Sequence, residues 1–505
     1  MVHEQMAVSA RGIARGNAVT ADPPGVMAIH YNPAGLSRLP GKQVTVGVTV
    51  LPVVEKRGRF SDDPEDPGLM DGDVDPLDGT EGSTSGWHPG RGELPAMAAP
   101  TLGFSTQAPD SRWTYALGSY VPFGLGFEHR DPDDPSRYGA REVYNWHLIY
   151  AAPAVSYQVT KSLSVGVAMG LGRSAMGASV SVRMPNEMVA LTHVLGEATE
   201  GLEIPVISEL TLPQPWFGGG LSTYGKIGEL DLDVVDNFVP TYNVGLLWSP
   251  AAWLSFGAVY QSEGKSTMGG DYCIEYGEEF QRFAGWWGSS PMTLSLAGIL
   301  NMPMQAVEKQ QGRVVTEWTN PQRVQLGVAL RPLRGLTLTA DFHYANWAVV
   351  ESNVFVFDQT IQLLQVANIM GYQGAPNELV IERHWRDTTH WSFGLEYWFF
   401  DLLALRLGYE ERPSPVPDEY FDLSMPLAGV KAYSGGIGVH LNAHLQCDFA
   451  FTYIVQPETY RVPNNTSQNL NSTEFTDVIY SPYAGLDYEQ DVEAYSLSLE
   501  LTYRW

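Results

Sequence analysis

Strict alternation of apolar and polar residues recurs along this chain and predicts β-strands with one apolar face. Between Lys161 and Arg173, Leu163, Val165, Val167, Met169 and Leu171 share one face, while Ser162, Ser164, Gly166, Ala168, Gly170 and Gly172 share the other. Val324, Leu326, Val328 and Leu330 alternate in the same way with Gln325, Gly327 and Ala329. At the C-terminal end Tyr495, Leu497, Leu499, Leu501, Tyr503 and Trp505 alternate with Ser496, Ser498, Glu500, Thr502 and Arg504. A soluble sandwich turns such a face inward and a membrane barrel turns it outward. Soluble strands average about 5–6 residues. The segments here run to roughly 9–13, the span a tilted strand needs to cross a bilayer.

The connections favour the barrel. Short turns fall near 108–112, 159–161, 249–252, 332–335, 400–402 and 442–444. Long polar stretches lie between them, near 54–95, 123–142, 185–228, 262–312, 350–386, 412–430 and 456–490. Short turns on one side and long loops on the other mark outer-membrane barrels, and a soluble domain seldom carries so many long loops. The predicted fold is all-β, a closed antiparallel barrel of fourteen strands. They lie near 42–53, 97–108, 112–123, 143–158, 161–184, 229–249, 252–262, 312–332, 335–350, 386–400, 402–412, 430–442, 444–456 and 491–505. Closure pairs every edge, which hydrocarbon demands. Trp113, Tyr115, Trp248, Trp253, Trp391, Trp398 and Tyr503, near strand ends, are expected to form interfacial girdles. Cys273 and Cys447 fall at opposite ends of the barrel, about 30 Å apart, so no disulfide is expected.

About forty residues precede the first strand without its period. A helical start over 5–12 gives way to Gly16, Asp22-Pro23-Pro24-Gly25 and Asn32-Pro33-Ala34-Gly35-Leu36. The predicted division is a plug over 1–41 inside the lumen and a barrel over 42–505. A disordered tail is the other reading; Met27, Ile29, Tyr31 and Leu36 weigh against it. Taken alone, Asn32-Pro33 reads as a tight turn.

Gly12-Ile13-Ala14-Arg15-Gly16, Ala21-Asp22 and Asn32-Pro33-Ala34-Gly35-Leu36 resemble the N-terminal hatch of the FadL family of outer-membrane transporters. The resemblance continues, in the family's order, through Tyr120-Val121-Pro122-Phe123-Gly124, Thr241-Tyr242-Asn243-Val244-Gly245, Tyr344-Ala345-Asn346-Trp347 and the stretch Tyr409–Asp418. It implies passive uptake of long-chain fatty acids or hydrocarbons such as toluene. Substrate would be captured outside, pass to a pocket in the barrel, and leave sideways through a gap at a kinked third strand. The resemblance assigns gating to Asn32, Pro33, Ala34 and Gly35, next to the kink, and the lateral opening to Phe123 and Gly124.

Composition narrows the partners. The 505 residues carry a net charge of −27, which argues against nucleic acid, whose phosphates need clustered Lys and Arg. No run of about 18 apolar residues predicts a transmembrane helix. Arg11 and Arg15 have no apolar leader-like run ahead of them. Nine Asp or Glu fall between 60 and 81 with no Lys or Arg. That stretch reads as a solvated acidic loop, with bridging to lipopolysaccharide through divalent cations as the alternative. The expected partners are a hydrophobic small molecule and outer-membrane lipid; a monomer is expected, without cofactor or metal.

Asp341, His343, Arg323, Arg331, Arg406, Glu410 and Glu500 fall on lumenal positions of the strand pattern. No Gly-x-Ser-x-Gly or compact Ser/His motif supports hydrolysis, so the chain is expected not to be an enzyme. A lumenal Arg or Lys could hold a fatty-acid carboxylate, but no motif selects one. The stretch 280–304 is unusually apolar for a loop. Phe280, Phe283, Trp286, Trp287, Leu296 and Ile299 are expected either to form an outer capture groove or to pack long loops together. A general porin and an outer-membrane hydrolase are the alternatives to the transporter.

Overall fold

The sense of the alternation decides the architecture. On the strand Leu163–Val182, Val165, Val167 and Met169 are exposed while Ala168 is buried. At the C-terminal end Leu499, Leu501 and Tyr503 are exposed and Ser496, Ser498, Glu500 and Thr502 are buried. Apolar residues point out and polar ones in, as a barrel in lipid requires. The computed structural model describes residues 8–62, 69–84, 98–129, 131–202, 212–369, 371–462 and 482–505. The start of the expected N-terminal helix and residues 63–68 of the acidic stretch lie outside these.

Fourteen antiparallel strands close the wall. They are β1 (Gly41–Asp62), β2 (Ala98–Gln107), β3 (Trp113–Glu128), β4 (Glu142–Gln158), β5 (Leu163–Val182) and β6 (Gly228–Ala251). Four strands come in two pieces: β7 (Leu254–Gln261, Gly264–Tyr276), β8 (Lys309–Asn320, Arg323–Leu333), β9 (Leu336–Ala345, Ser352–Phe357) and β10 (Glu378–Glu382, Thr388–Phe399). β11 (Leu403–Arg412), β12 (Val430–His440), β13 (Leu445–Val455) and β14 (Leu486–Arg504) complete the circuit. β1 pairs with β14 from Gln43–Arg504 to Asp62–Leu486, and with β2 on its other edge.

Several strands run past the bilayer, and above it their chemistry inverts. Low on β6, Leu246 and Trp248 face out and Asn243 faces in; higher up, Asp231 and Asp233 face out and Leu232 and Val234 face in. On the upper part of β7, Lys265, Thr267, Asp271 and Glu275 face water while Met268, Tyr272, Ile274 and Tyr276 face in. A shift of one residue exchanges the two faces of a strand, and a bulge supplies it. Such shifts form a belt across β3–β6, at Gly118–Phe123 against Ile149, at Ile149–Ala151, and at Gly172–Ser174 against Asp236–Val239. Breaks after Gln261 and Asn320 do the same on β7 and β8. The barrel therefore has a polar interior at membrane level and an apolar one above.

Residues 8–38 fill the polar interior. Their backbone forms only short helical pieces, among them α1 (Ala10–Ile13), α2 (Ala28–Tyr31) and a 3-10 turn over Pro33–Arg38, and wall side chains satisfy part of the rest. Glu500 accepts from the Ala10 amide at 3.0 Å and Asp341 from the Thr20 amide at 2.7 Å. Gln261 donates to the His30 carbonyl at 2.8 Å. Of the expected girdle residues, Trp113, Tyr115, Trp248, Trp253, Trp391 and Tyr503 are exposed on the outer surface. Trp398 differs: it shares the inward phase of Glu396, to which its indole donates at 3.1 Å, and it stacks on His440.

Candidate functional site

The wall is interrupted between β2 and β3. Their ladder runs from Thr106–Tyr115 only to Leu102–Ser119. β2 nevertheless continues along β1 to Ala98, and β3 along β4 to Glu128. Above the last rung no ladder joins Ala98–Thr101 to the facing residues of β3. Pro100 stands on one of these edges and Pro122 on the other. Proline has no N–H to donate to a ladder. The bulge at Tyr120–Phe123 bends β3 at the same height.

The buried N-terminal segment lies behind the interruption. Val26 and Met27 occupy the space a Cβ on Gly103 would need, and Ile29 lies against Gly118. The His30 ring meets Tyr120 edge-on at 5.0 Å. Asn32-Pro33-Ala34 lies against Gly166 of β5 and Gly245 of β6, where a Cβ would overlap Pro33 or Asn32. Asn32 Nδ2 donates to the carbonyls of Thr20 at 2.8 Å and Leu246 at 3.1 Å, and its Oδ1 accepts from the Ala34 amide. The Ala34 carbonyl accepts from Ser156 Oγ, and Gly35 packs on Pro23. Phe123 turns inward into the apolar cluster that holds Met176, Met184 and Phe355, and Gly124 has open space where a side chain would stand.

A cavity of about 540 Å³ lies within the apolar upper part of the barrel. Met176, Leu230, Ile274, Phe355, Leu364 and Ile381 give it an apolar lining. One end is polar, built from Asn353, Arg383, Asp422 and Ser424. Arg383 is fully enclosed: its guanidinium donates to Asn353 Oδ1 at 2.7 Å and to Ser424 Oγ at 3.2 Å, and is ion-paired with Asp422. Burial pushes its pKa down to about 9, which leaves it charged at neutral pH. Asp422 is itself fixed, accepting from the amides of Ser424 and Met425.

The apolar stretch near 280–304 forms two helices, Glu278–Trp286 and Pro291–Leu300. Phe280, Phe283, Trp286 and Trp287 are buried: Phe280 stacks on Tyr276 at 4.6 Å and Trp286 meets Phe217 in a tilted contact at 5.0 Å. These four pack one loop on another. Leu296 is partly buried against the same cluster, whereas Ile299 is 79% exposed beside exposed Leu294 and Leu300. None of the six lines the cavity.

A family model described as outer membrane protein transport protein (OMPP1/FadL/TodX) matches residues 1–505. The chain belongs to this family. It is an outer-membrane protein, and its family consists of transport channels. A Pseudomonas aeruginosa FadL homologue has the same fold, with 15% identity, full coverage of both chains and a TM-score of 0.69. The Pseudomonas putida toluene transporter TodX matches at 15% identity with full coverage of both chains and a TM-score of 0.61. The Ralstonia pickettii toluene transporter TbuX matches at 16%, covering 98% of this chain and 97% of its own, with a TM-score of 0.57. A comparison with curated protein sequences found no match.

The lumenal charges read from the sequence converge on the N-terminal segment. Arg331 and Arg15 pair with Asp22 at 2.6 and 2.8 Å, and Arg11 is bidentate to Glu396 at 2.8 and 3.0 Å. Arg406 bridges Glu396 and Asp448, and Glu410 accepts from Asn17 and Arg412. Arg323 is buried on the same lumenal face. The structure also brings together a Ser/His pair that the sequence did not reveal. His343 Nε2 lies 2.8 Å from Ser392 Oγ, with His343 stacked on His390, whose Nε2 is hydrogen-bonded to Glu410 Oε1 at 3.1 Å. Ser392 is completely buried and neither partner lines the cavity.

Proposed function

We propose that this chain takes up small hydrophobic molecules passively, holding them in the upper cavity and releasing them sideways into the membrane between β2 and β3. The interruption above the Leu102–Ser119 rung carries this reading. It opens at the height where the apolar interior begins, and Phe123 and Leu125 join it to the cavity wall through one apolar cluster. An axial path would drive an apolar molecule through the charges around Asp22 and Glu396. A lateral step ends in hydrocarbon, where each CH₂ is favoured over water by about 0.8 kcal/mol.

In this scheme residues 1–41 are the hatch. Asn32, Pro33, Ala34 and Gly35 anchor it to β4–β6, and residues 26–30 move away from the opening during release. Leu294, Leu296, Ile299 and Leu300 offer the outer apolar contact. The protein works as a monomer surrounded by outer-membrane lipid.

Uptake of labelled toluene by cells carrying the protein tests the reading, together with ion conductance in planar bilayers. Uptake with low conductance is expected, and Ala367→Trp, which fills the cavity, should abolish uptake while the barrel still assembles. High conductance with no dependence on the cavity would indicate a general porin instead.

A further inference from the structure

The polar end of the cavity bears on which hydrophobic molecules it accepts. Arg383 is the single cation among the described residues that line it, and Asp422 already holds that guanidinium. The pair is built into the wall: Asn353 and Ser424 take further guanidinium hydrogens, and the Ser424 and Met425 amides fix the carboxylate. The four residues come from three separate loops or strand ends, so their convergence is a feature of the fold. Asn353 Nδ2, buried at the same place, has no hydrogen-bond partner among the described residues.

We propose that this cavity selects uncharged hydrophobic molecules and rejects carboxylates, because Asp422 neutralises the one cation that could receive an anionic head group. An anion entering would lose its hydration without gaining a counter-charge. It would also stand beside Asp422, a like charge. A neutral molecule incurs neither cost, and a hydroxyl or aromatic π face can accept the free Asn353 N–H. The substrate class is therefore hydrocarbons, aromatic compounds and alcohols rather than ionised fatty acids. This selection rests on the uptake reading above.

Calorimetric titration of the full-length protein in nanodiscs, with 1-decanol and with decanoate at about pH 8, where the acid is ionised, provides the test. Wild type is expected to bind decanol at least about tenfold more tightly than decanoate. Asp422→Asn frees Arg383, and decanoate should then gain at least about tenfold while decanol changes little. Should that variant fail to assemble, the double variant Arg383→Gln/Asp422→Asn removes both charges. It should keep decanol binding and leave decanoate weak. A wild-type preference for decanoate would overturn the selection and leave uptake standing, as would an Asp422→Asn variant that binds decanol but gains nothing for decanoate. Failure of wild type to bind either probe would overturn the uptake reading as well.

Discussion

Asn32 Nδ2 donates to the Leu246 carbonyl at 3.1 Å, tying the N-terminal segment to a wall strand 214 residues away in sequence. The same amide group holds Thr20 O, so one side chain fixes both a neighbouring turn and the barrel wall. Changing Asn32-Pro33-Ala34 to glycines leaves the buried Thr20 carbonyl without this donor, at about 1–3 kcal/mol, and frees the turn. Uptake of labelled toluene should fall while heat-dependent gel mobility shows a normally assembled barrel. Wild-type uptake would remove these residues from the gating role.

Asp22 is the charge centre of the segment, within 4 Å of Arg11, Arg15, Arg38 and Arg331. Arg15 is completely buried, so Asp22→Asn strands a cation that has lost its closest carboxylate. Breaking a buried pair in this way costs about 3–5 kcal/mol. The loss should loosen the segment without unfolding the barrel, seen as faster hydrogen exchange over residues 8–38 and as conductance bursts in planar bilayers. Unchanged exchange there would show that the arginines find other partners.

Removing residues 1–40 should leave a barrel with a wide polar lumen, since the groups that now hold the segment, including Glu396, Glu410, Glu500 and Arg331, all face inward. Large, steady ion conductance is expected. Conductance equal to that of the full chain would contradict a plugging role.

Much of the barrel was legible because lipid outside and polar groups inside impose a period of two, as on Leu163–Val182. That signal weakens where the strands leave the bilayer. The sequence reading ended the seventh strand at 262, whereas β7 runs to Tyr276 with Asp271 and Glu275 outside and Tyr272 and Ile274 inside. There the sense of the pattern inverts, so an apolar-out template loses it. The wall interruption did leave a sequence signal, namely Pro100 and Pro122 within two otherwise regular strand patterns. The polar end of the cavity left none. Asn353 and Arg383 meet through the pairing of the upper pieces of β9 and β10, and Asp422 comes from a separate loop, so no motif in the chain marks the group. Phe280, Phe283, Trp286 and Trp287 were read correctly as exceptional in a loop, but their spacing did not distinguish a groove from packing; the structure buries them.

The lateral opening is the centre of this account, and Pro100 and Pro122 are its most direct test. Replacing both by Val returns an N–H to each facing edge and lets the β2–β3 ladder extend above Leu102–Ser119. The measurement is labelled toluene uptake by Pro100→Val/Pro122→Val cells, alongside amide hydrogen exchange over 98–101 and 120–123 to confirm that the ladder has formed. Slowed exchange with uptake reduced to the level of cells without the protein is expected. Slowed exchange with wild-type uptake would mean that substrate leaves by another path.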